Sequence, residues 1–373
     1  MKIVFTGGGT GGHIFPIIAI VRELRKLALN EKLEIYYLGP KDEFGEIFLS
    51  QEGIRVKNIL AGKIRRYFNF SSIFLNFFDI LFKIPFGILQ SFSWLLFKNP
   101  DLIFSKGGFG SFPVVISGWL LGIPIFLHES DISPGLANRI LSKFALEIFT
   151  SFPNTEYFPP SKIYLVGNPI RTEILKGSQT EAKKFFQITG EKKVVLILGG
   201  SQGAQRINEK ILEILPEFLK NFEIIHQCGE KNYKETKLIT DGLLKEELKK
   251  YYHLFGFLKE DQLKLAYAIS DLIVSRAGSG TIFEIAALAK PSILIPLPEA
   301  AQDHQIKNAY AFKQTGAAIV IEEENLTPRF LLERVRAILE NQKEIERMSL
   351  AAKEFSKPLA AKIIANFILE YLT

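Results

Sequence analysis

The sequence predicts an α/β protein of two domains, each a parallel sheet covered by helices on both faces. Three observations carry that prediction. Short apolar strands alternate with helical runs along the chain, the pattern of a helix-covered parallel sheet. The alternation restarts midway. Each half also opens on a basic residue, an apolar strand, a glycine loop and a helix: KIVFTGGGTGGH at 2–13 and KKVVLILGGSQGAQ at 192–205. A length of 373 residues fits two domains of moderate size. With 47% hydrophobic and 23% charged residues, the composition is globular rather than disordered or fibrous.

In the first half, Ile3–Thr6 reads as a strand, followed by a glycine loop and a helical run over Pro16–Leu27. Leu33–Leu38, Leu102–Phe104, Ile125–Leu127 and Ile148–Thr150 read as further buried strands, each apolar and closed by turn or polar residues. A polar stretch over 177–193 precedes Val194–Leu198, Ile224–Gln227, His253–Phe255, Leu272–Val274, Ile293–Ile295 and Ala318–Ile321. The boundary is expected where GNPIR interrupts the periodicity, giving domains over 1–166 and 167–351. The tail from about 352 has helical spacing on either side of Pro358 and is expected to return to the first domain.

The single cysteine, Cys228, excludes a disulfide framework and any multi-thiolate zinc site. Met1 leads straight into a strand and a turn, not a charged-then-apolar leader, so a cytosolic chain is expected. The net charge is only +6, and residues 57–106 hold seven basic against two acidic residues. The same stretch contains YFNFSSIFLNFFDILFKIPFGILQSFSWLLF. Its uncharged run between Lys83 and Lys98 is 14 residues long and is interrupted by Pro85, short of the roughly 20 apolar residues of a span. A buried or interfacial helix is expected instead. An apolar face beside basic residues suits an anionic lipid surface; a core helix with solvated lysines is the plain alternative.

Gly7, Gly9 and Gly12 satisfy G-x-G-x-x-G between a strand and a helix, where backbone N–H groups can meet a phosphate. A dinucleotide site would place an acid at the end of the second strand. The two halves have Tyr37-Leu38-Gly39 and Gln227-Cys228-Gly229 there, so nicotinamide binding loses its support. Two more glycine turns follow strands, Lys106–Ser111 and Arg276–Thr281. Four such turns in two domains imply a nucleotide-binding cleft between the carboxyl ends of two sheets.

GGGTGGHIFP, SKGGFGSFP, HESDISPGLANR, VGNPIR, GGSQGAQRIN and SRAGSGTIFEIAALAKPSILIPLP occur in this order over most of the chain. As a set they resemble the MurG family of bacterial glycosyltransferases. The resemblance implies the GT-B fold, two Rossmann-like domains with the donor mainly in the second and the acceptor in the first. It implies inverting transfer of N-acetylglucosamine from UDP-N-acetylglucosamine to lipid I, giving lipid II for peptidoglycan, at the cytoplasmic face of the bacterial inner membrane. No cofactor and no nucleic-acid partner are expected. Cell-wall synthesis and division proteins are further partners that the resemblance suggests.

The carried-over residues have physical reasons beside them. Glu284 lies one turn into the helix after Gly278–Gly280, and a carboxylate can accept from both ribose hydroxyls. Ser201, near Gly203, suits a pyrophosphate. Arg171 matches a donor-contacting arginine, whose guanidinium neutralises phosphate charge without a metal. Leu258 matches a position whose backbone reads uracil, Gln305 one that contacts sugar hydroxyls, and Thr10, Gly11 and Gly12 first-domain donor contacts. Ser279, Gly280 and Thr281 belong to the donor loop as well. No D-x-D motif is present, so no metal ligand set is expected. His13 is the candidate base for the acceptor hydroxyl, with Glu129 as rival base or orienting partner. HESD departs from the family's HEQN. Asp131 therefore replaces an amide that both donates and accepts with a group that, ionised, only accepts. His128, His226 and His253 read as structural. Gly108, Arg65, Arg66, Phe74, Phe78, Phe82 and Lys83 are assigned to the acceptor and membrane side. Another lipid-acceptor transferase, such as a diacylglycerol glucosyltransferase, and a non-catalytic nucleotide-binding protein are the rival readings.

Overall fold

Strands buried on both faces need apolar residues along their centre, and the first strand, KIVFT, supplies Ile3, Val4 and Phe5. Ile3 and Phe5 enter one core and Val4 the other. The computed structural model describes residues 1–9, 11–29, 31–63, 70–153, 157–200 and 203–373, with the side chains of the helix that begins at Phe70 described from Phe74 onward. Two units result, Met1–Arg171 with Pro358–Thr373, and Thr172–Lys357.

The first unit runs β1 (Lys2–Thr6), α1 (Gly11–Leu27), β2 (Glu34–Gly39), α2 (Glu43–Gln51), β3 (Arg55–Asn58), α3 (Phe70–Phe78), α4 (Ile84–Lys98), β4 (Leu102–Ser105), α5 (Phe112–Leu120), β5 (Ile125–Glu129), α6 (Leu136–Leu141), β6 (Glu147–Thr150) and β7 (Ile163–Leu165). The second runs α7 (Gln179–Phe185), β8 (Lys193–Leu198), α8 (Gln205–Asn221), β9 (Phe222–Gln227), α9 (Glu230–Leu243), α10 (Glu246–Lys249), β10 (Tyr252–Phe255), α11 (Glu260–Ile269), β11 (Leu272–Ser275), α12 (Ser279–Ala287), β12 (Ser292–Leu294), α13 (His304–Gln314), β13 (Ala318–Val320), α14 (Pro328–Leu339) and α15 (Gln342–Phe355). A last helix, α16 (Ala360–Leu372), belongs to the first unit.

Both sheets are wholly parallel, ordered β3-β2-β1-β4-β5-β6-β7 and β10-β9-β8-β11-β12-β13. The order reverses between β1 and β4 in the first and between β8 and β11 in the second. These are the switch points where open α/β sheets bind ligands, and all four glycine turns fall there. The helical spacing on either side of Pro358 forms two helices, α15 and α16. In α16, Ala361 and Ala365 lie one turn apart, beside Ile364 and Ile368, in the core that α1 also fills. Small residues at that spacing let the two helices approach closely.

Two differences from the expected elements bear on function. Helix α1 starts at Gly11, not Pro16, so His13 lies in its first turn rather than at the end of a loop. Residues Phe74–Lys98 form one helical stretch through a π turn at Asp79–Lys83. By length and composition alone that stretch could cross a membrane. Its buried seam, however, is Asp79, Gly87, Ser91 and Leu95, spaced at multiples of four and packed on the unit. A Cβ on Gly87 would stand 2.0 Å from the Leu60 carbonyl oxygen, and Ser117 Oγ donates to the Ile88 carbonyl at 2.9 Å. The apolar residues face outward instead: Phe74 is 66% and Phe97 86% exposed, with Phe77, Phe78, Leu81, Phe82, Phe86 and Leu89 also open.

In the second unit His226 is fully buried. Its Nδ1 accepts from the Tyr252 hydroxyl at 2.8 Å, and its Nε2 donates to Asn208 Oδ1 at 3.0 Å. Burial holds its pKa down at about 3. With the native value depressed, its contribution to stability is present above the unfolded value of about 6.5 and is lost as pH falls toward the native one. At pH 4.5 the loss is about 2–3 kcal/mol. Urea unfolding of the parent and of His226→Gln at pH 7 and 4.5 checks this: the variant should show a smaller difference between the two pH values. An equal difference would contradict it.

Candidate active site

The first site gathers at the carboxyl ends of β1, β4 and β5. Gly11 and Gly12 open α1, and His13 follows in its first turn. The His13 ring lies between two glycine loops. A Cβ on Gly8 would be 2.9 Å from His13 Cε1, and one on Gly108 would be 3.0 Å from Nε2. Gly107 and Gly108 both have left-handed φ, at 86° and 82°, which side chains rarely tolerate. A Cβ on Gly107 would also strike Asn138 Oδ1 at 2.3 Å. Gly108→Ala should therefore displace His13 and lower activity while leaving nucleotide affinity near that of the parent. Kinetics alongside calorimetry with UDP check this, and unchanged kinetics would separate Gly108 from the site.

Glu129 ends β5 and is only 4% exposed. Its Oε1 accepts from the Asp131 backbone N–H at 2.9 Å and its Oε2 from Asn138 Nδ2 at 2.7 Å. Burial, then the neighbouring Asp131, pushes its pKa up, while the two hydrogen bonds and Lys106 oppose the rise. Lys106, in the loop after β4, is 2% exposed and donates to Ser130 Oγ. Burial pulls its pKa down against the pull of Glu129 and Asp131. Ser130 Oγ donates in turn to Asn168 Oδ1 at 3.2 Å. His128 is buried, and its Nε2 donates to the Gly167 carbonyl at 3.1 Å. Burial and then Lys106 hold it neutral. Arg171 is buried with its guanidinium 4.1 Å from the centre of the Phe15 ring, two residues beyond His13 on α1.

The second site gathers at the carboxyl ends of β8, β9 and β11. Ser279, Gly280 and Thr281 open α12, and Glu284 follows in its second turn. Glu284 Oε2 accepts from the Tyr267 hydroxyl at 2.8 Å, which orients the carboxylate. Leu258 is buried and its N–H goes to Gln227 Oε1 at 3.0 Å. Gln305 lies in the first turn of α13, its Oε1 accepting from the Leu297 N–H at 3.0 Å. Just before it, Gln302 and Asp303 both take left-handed φ, 60° and 55°; strain of this kind clusters at ligand sites. His253 Nε2 lies 2.7 Å from Glu223 Oε1, so all three histidines read as structural have protein partners. Thr10, Ser201, Arg65 and Arg66 lie outside the described residues. Phe74, Phe78, Phe82 and Lys83 lie on the outward-facing helix, with Lys83 paired to Asp79 at 2.6 Å.

Sequence reasoning missed the bracing of the loops. Where a dinucleotide fold carries an acid, Tyr37 donates its hydroxyl to the Gly7 carbonyl at 3.2 Å and Gln227 donates Nε2 to the Gly200 carbonyl at 3.2 Å. Each holds a glycine loop open from the second strand. Asn138 and Lys106 were missed too; a lysine or asparagine inside an otherwise apolar or glycine-rich run was the available signal.

Two Rossmann-like units with glycine loops at both switch points make this a protein of the GT-B fold. The chain matches the glycosyltransferase family 28 N-terminal domain over residues 3–150 and its C-terminal domain over 194–364. It is 38% identical, over 99% of its own length and 99% of the relative's, to a Bacillus cereus protein named UDP-N-acetylglucosamine--N-acetylmuramyl-(pentapeptide) pyrophosphoryl-undecaprenol N-acetylglucosamine transferase 2. A Clostridium perfringens transferase of the corresponding name is 39% identical over 92% of this chain and 91% of the relative. The chain belongs to glycosyltransferase family 28 and, within it, to the MurG family. Among solved structures, Acinetobacter baumannii MurG is similar at a TM-score of 0.73, with 25% identity and 99% of each chain covered. A Neisseria meningitidis UDP-GlcNAc 2-epimerase reaches 0.68 over 99% of this chain and 100% of the other, at 17% identity, a likeness of fold alone.

Proposed function

We propose that this enzyme transfers N-acetylglucosamine from UDP-N-acetylglucosamine to lipid I, with inversion, at a membrane surface. The identity of 38% along the whole chain to transferases of that name carries the reading. On it, the second unit holds the nucleotide: Glu284 takes the ribose hydroxyls, the backbone at Leu258 the uracil, and Gln305 the sugar. The N-terminus of α12 and Ser201 take the pyrophosphate, assisted by Arg171. With the Leu258 N–H already given to Gln227, its contact to uracil runs through the carbonyl or displaces that bond. On the first unit His13 removes the acceptor proton as the hydroxyl attacks C1, and Glu129 orients or replaces it. Thr10, Gly11, Gly12 and Asp131 meet the donor, and Gly108 lies on the acceptor side. Labelled UDP-sugars offered with lipid I or with diacylglycerol test the reading. N-acetylglucosamine should enter lipid I alone; glucose entering diacylglycerol would favour the rival transferase.

The acceptor's lipid tail stays in the bilayer, so the enzyme must meet it there. The outward row of Phe74, Phe78, Leu81, Phe82 and Phe86, with Lys83 and Lys98, is the face proposed for this contact, and Arg65 and Arg66 are assigned to it from the sequence alone. The polar seam of the same helix is docked on the first unit, which favours a helix lying on the surface over one crossing it. Each basic residue contributes about 1 kcal/mol near an anionic surface, and salt weakens it. Replacing Arg65, Arg66 and Lys83 with Glu should release the protein from anionic vesicles and leave UDP binding intact. Sedimentation of the variant equal to the parent's would remove this face from membrane contact.

A further inference from the structure

Glu129 and Asp131 place two carboxylates two residues apart, and Glu129 is almost wholly buried, with an oxygen on Asp131's own N–H. A second acid beside a desolvated carboxylate opposes its ionisation unless a countercharge is near. The buried ammonium of Lys106 donates to the hydroxyl of Ser130, the residue between them. Its loop packs on the same side: Gly107, the next residue, abuts Asn138, which holds the other oxygen of Glu129. Two carboxylates and one ammonium carry the net charge of a single carboxylate, so Lys106 offsets the charge that Asp131 adds to this end of the sheet.

We propose that Lys106 is the positioning and charge-balancing residue of this site: its ammonium offsets the charge that Asp131 adds beside Glu129, and it fixes the loop between them through Ser130 and Asn168. The titratable groups around Glu129 are Lys106 from the loop after β4, Asp131 from the loop after β5, and His128 on the same strand, which is held neutral. His13 reaches the neighbouring glycine loops from α1. A function for Glu129 in transfer rests on the reading above; the electrostatic claim does not.

The test follows the Glu129 carboxyl by 13C NMR in the full chain labelled at glutamate carboxyls, its signal assigned by its loss in Glu129→Gln. Lys106→Met should raise the Glu129 titration midpoint by at least one pH unit. Adding Asp131→Asn to that variant should reverse more than half of the rise. Asp131→Asn alone should lower the midpoint, and if Lys106→Met does not fold by itself the double variant is compared with Asp131→Asn, above which it should stand if Lys106 acts on Glu129. The pH profile of kcat should move with the midpoint, and Lys106→Arg should stay near the parent in both. An unmoved midpoint in either single neutral variant, or a double variant no lower than Lys106→Met, overturns the assignment. A parent that transfers nothing from UDP-N-acetylglucosamine to lipid I overturns the functional reading while leaving the NMR comparison intact, so the two failures are distinct.

Discussion

Replacing His13 with alanine is expected to lower kcat by about 10²–10⁴, the usual scale of losing a general base, with a smaller effect on donor affinity. The expectation rests on position. The ring is clasped between the Gly8 and Gly108 loops at the β1–β4 switch point, where an acceptor hydroxyl would be presented. A carboxylate, Glu129, sits at the end of the neighbouring β5, held by two hydrogen bonds. Steady-state kinetics on folded His13→Ala decides. A kcat within a few-fold of the parent would make His13 a loop-packing residue and move proton removal to Glu129, whose pKa burial has already raised. Glu129→Gln would then become the variant with the large loss.

The second large effect is on the donor. Glu284→Ala removes a charged acceptor from the start of α12, and such hydrogen bonds are worth about 1.5–3 kcal/mol. UDP-N-acetylglucosamine affinity should fall about ten- to hundredfold. Tyr267 bears on how that result is read, because its hydroxyl donates to Glu284 Oε2 and orients the carboxylate. Tyr267→Phe should give a smaller loss of the same kind, since it frees the carboxylate to rotate without removing its charge. Calorimetry showing unchanged UDP affinity in folded Glu284→Ala would take this residue out of the site.

The strands of the two cores were legible because each is apolar at nearly every position, as burial on both faces requires. The edges were not. β3 (RVKN) and β7 (IYL) border the first sheet and are largely exposed, so neither carries a burial signal. The start of α1 was hidden by two glycines and by Pro16, poor helix formers that the tertiary setting overrides. The full extent of the outward helix was hidden because Lys83 and Asp79 broke its apolar run; the structure pairs Lys83 with Asp79, whose carboxylate lies on the buried seam. In the sites, Glu284 and His13 were named as candidates from the motifs that carry the family resemblance, whereas the bracing by Tyr37, Gln227 and Lys106 could not be read there. Their roles depend on which loop folds over them, and no local period encodes that.

The most direct measurement is the structure of the sugar product. The enzyme is incubated with UDP-N-acetylglucosamine and lipid I in anionic vesicles, and the lipid fraction is examined by NMR and mass spectrometry. Inverting transfer requires one N-acetylglucosamine added to the muramyl residue through a β linkage, with one UDP released for each. An α linkage would contradict inversion. N-acetylmannosamine, free or on UDP, with no sugar gained by the lipid, would contradict transfer itself and align the chemistry with the epimerases that share the fold.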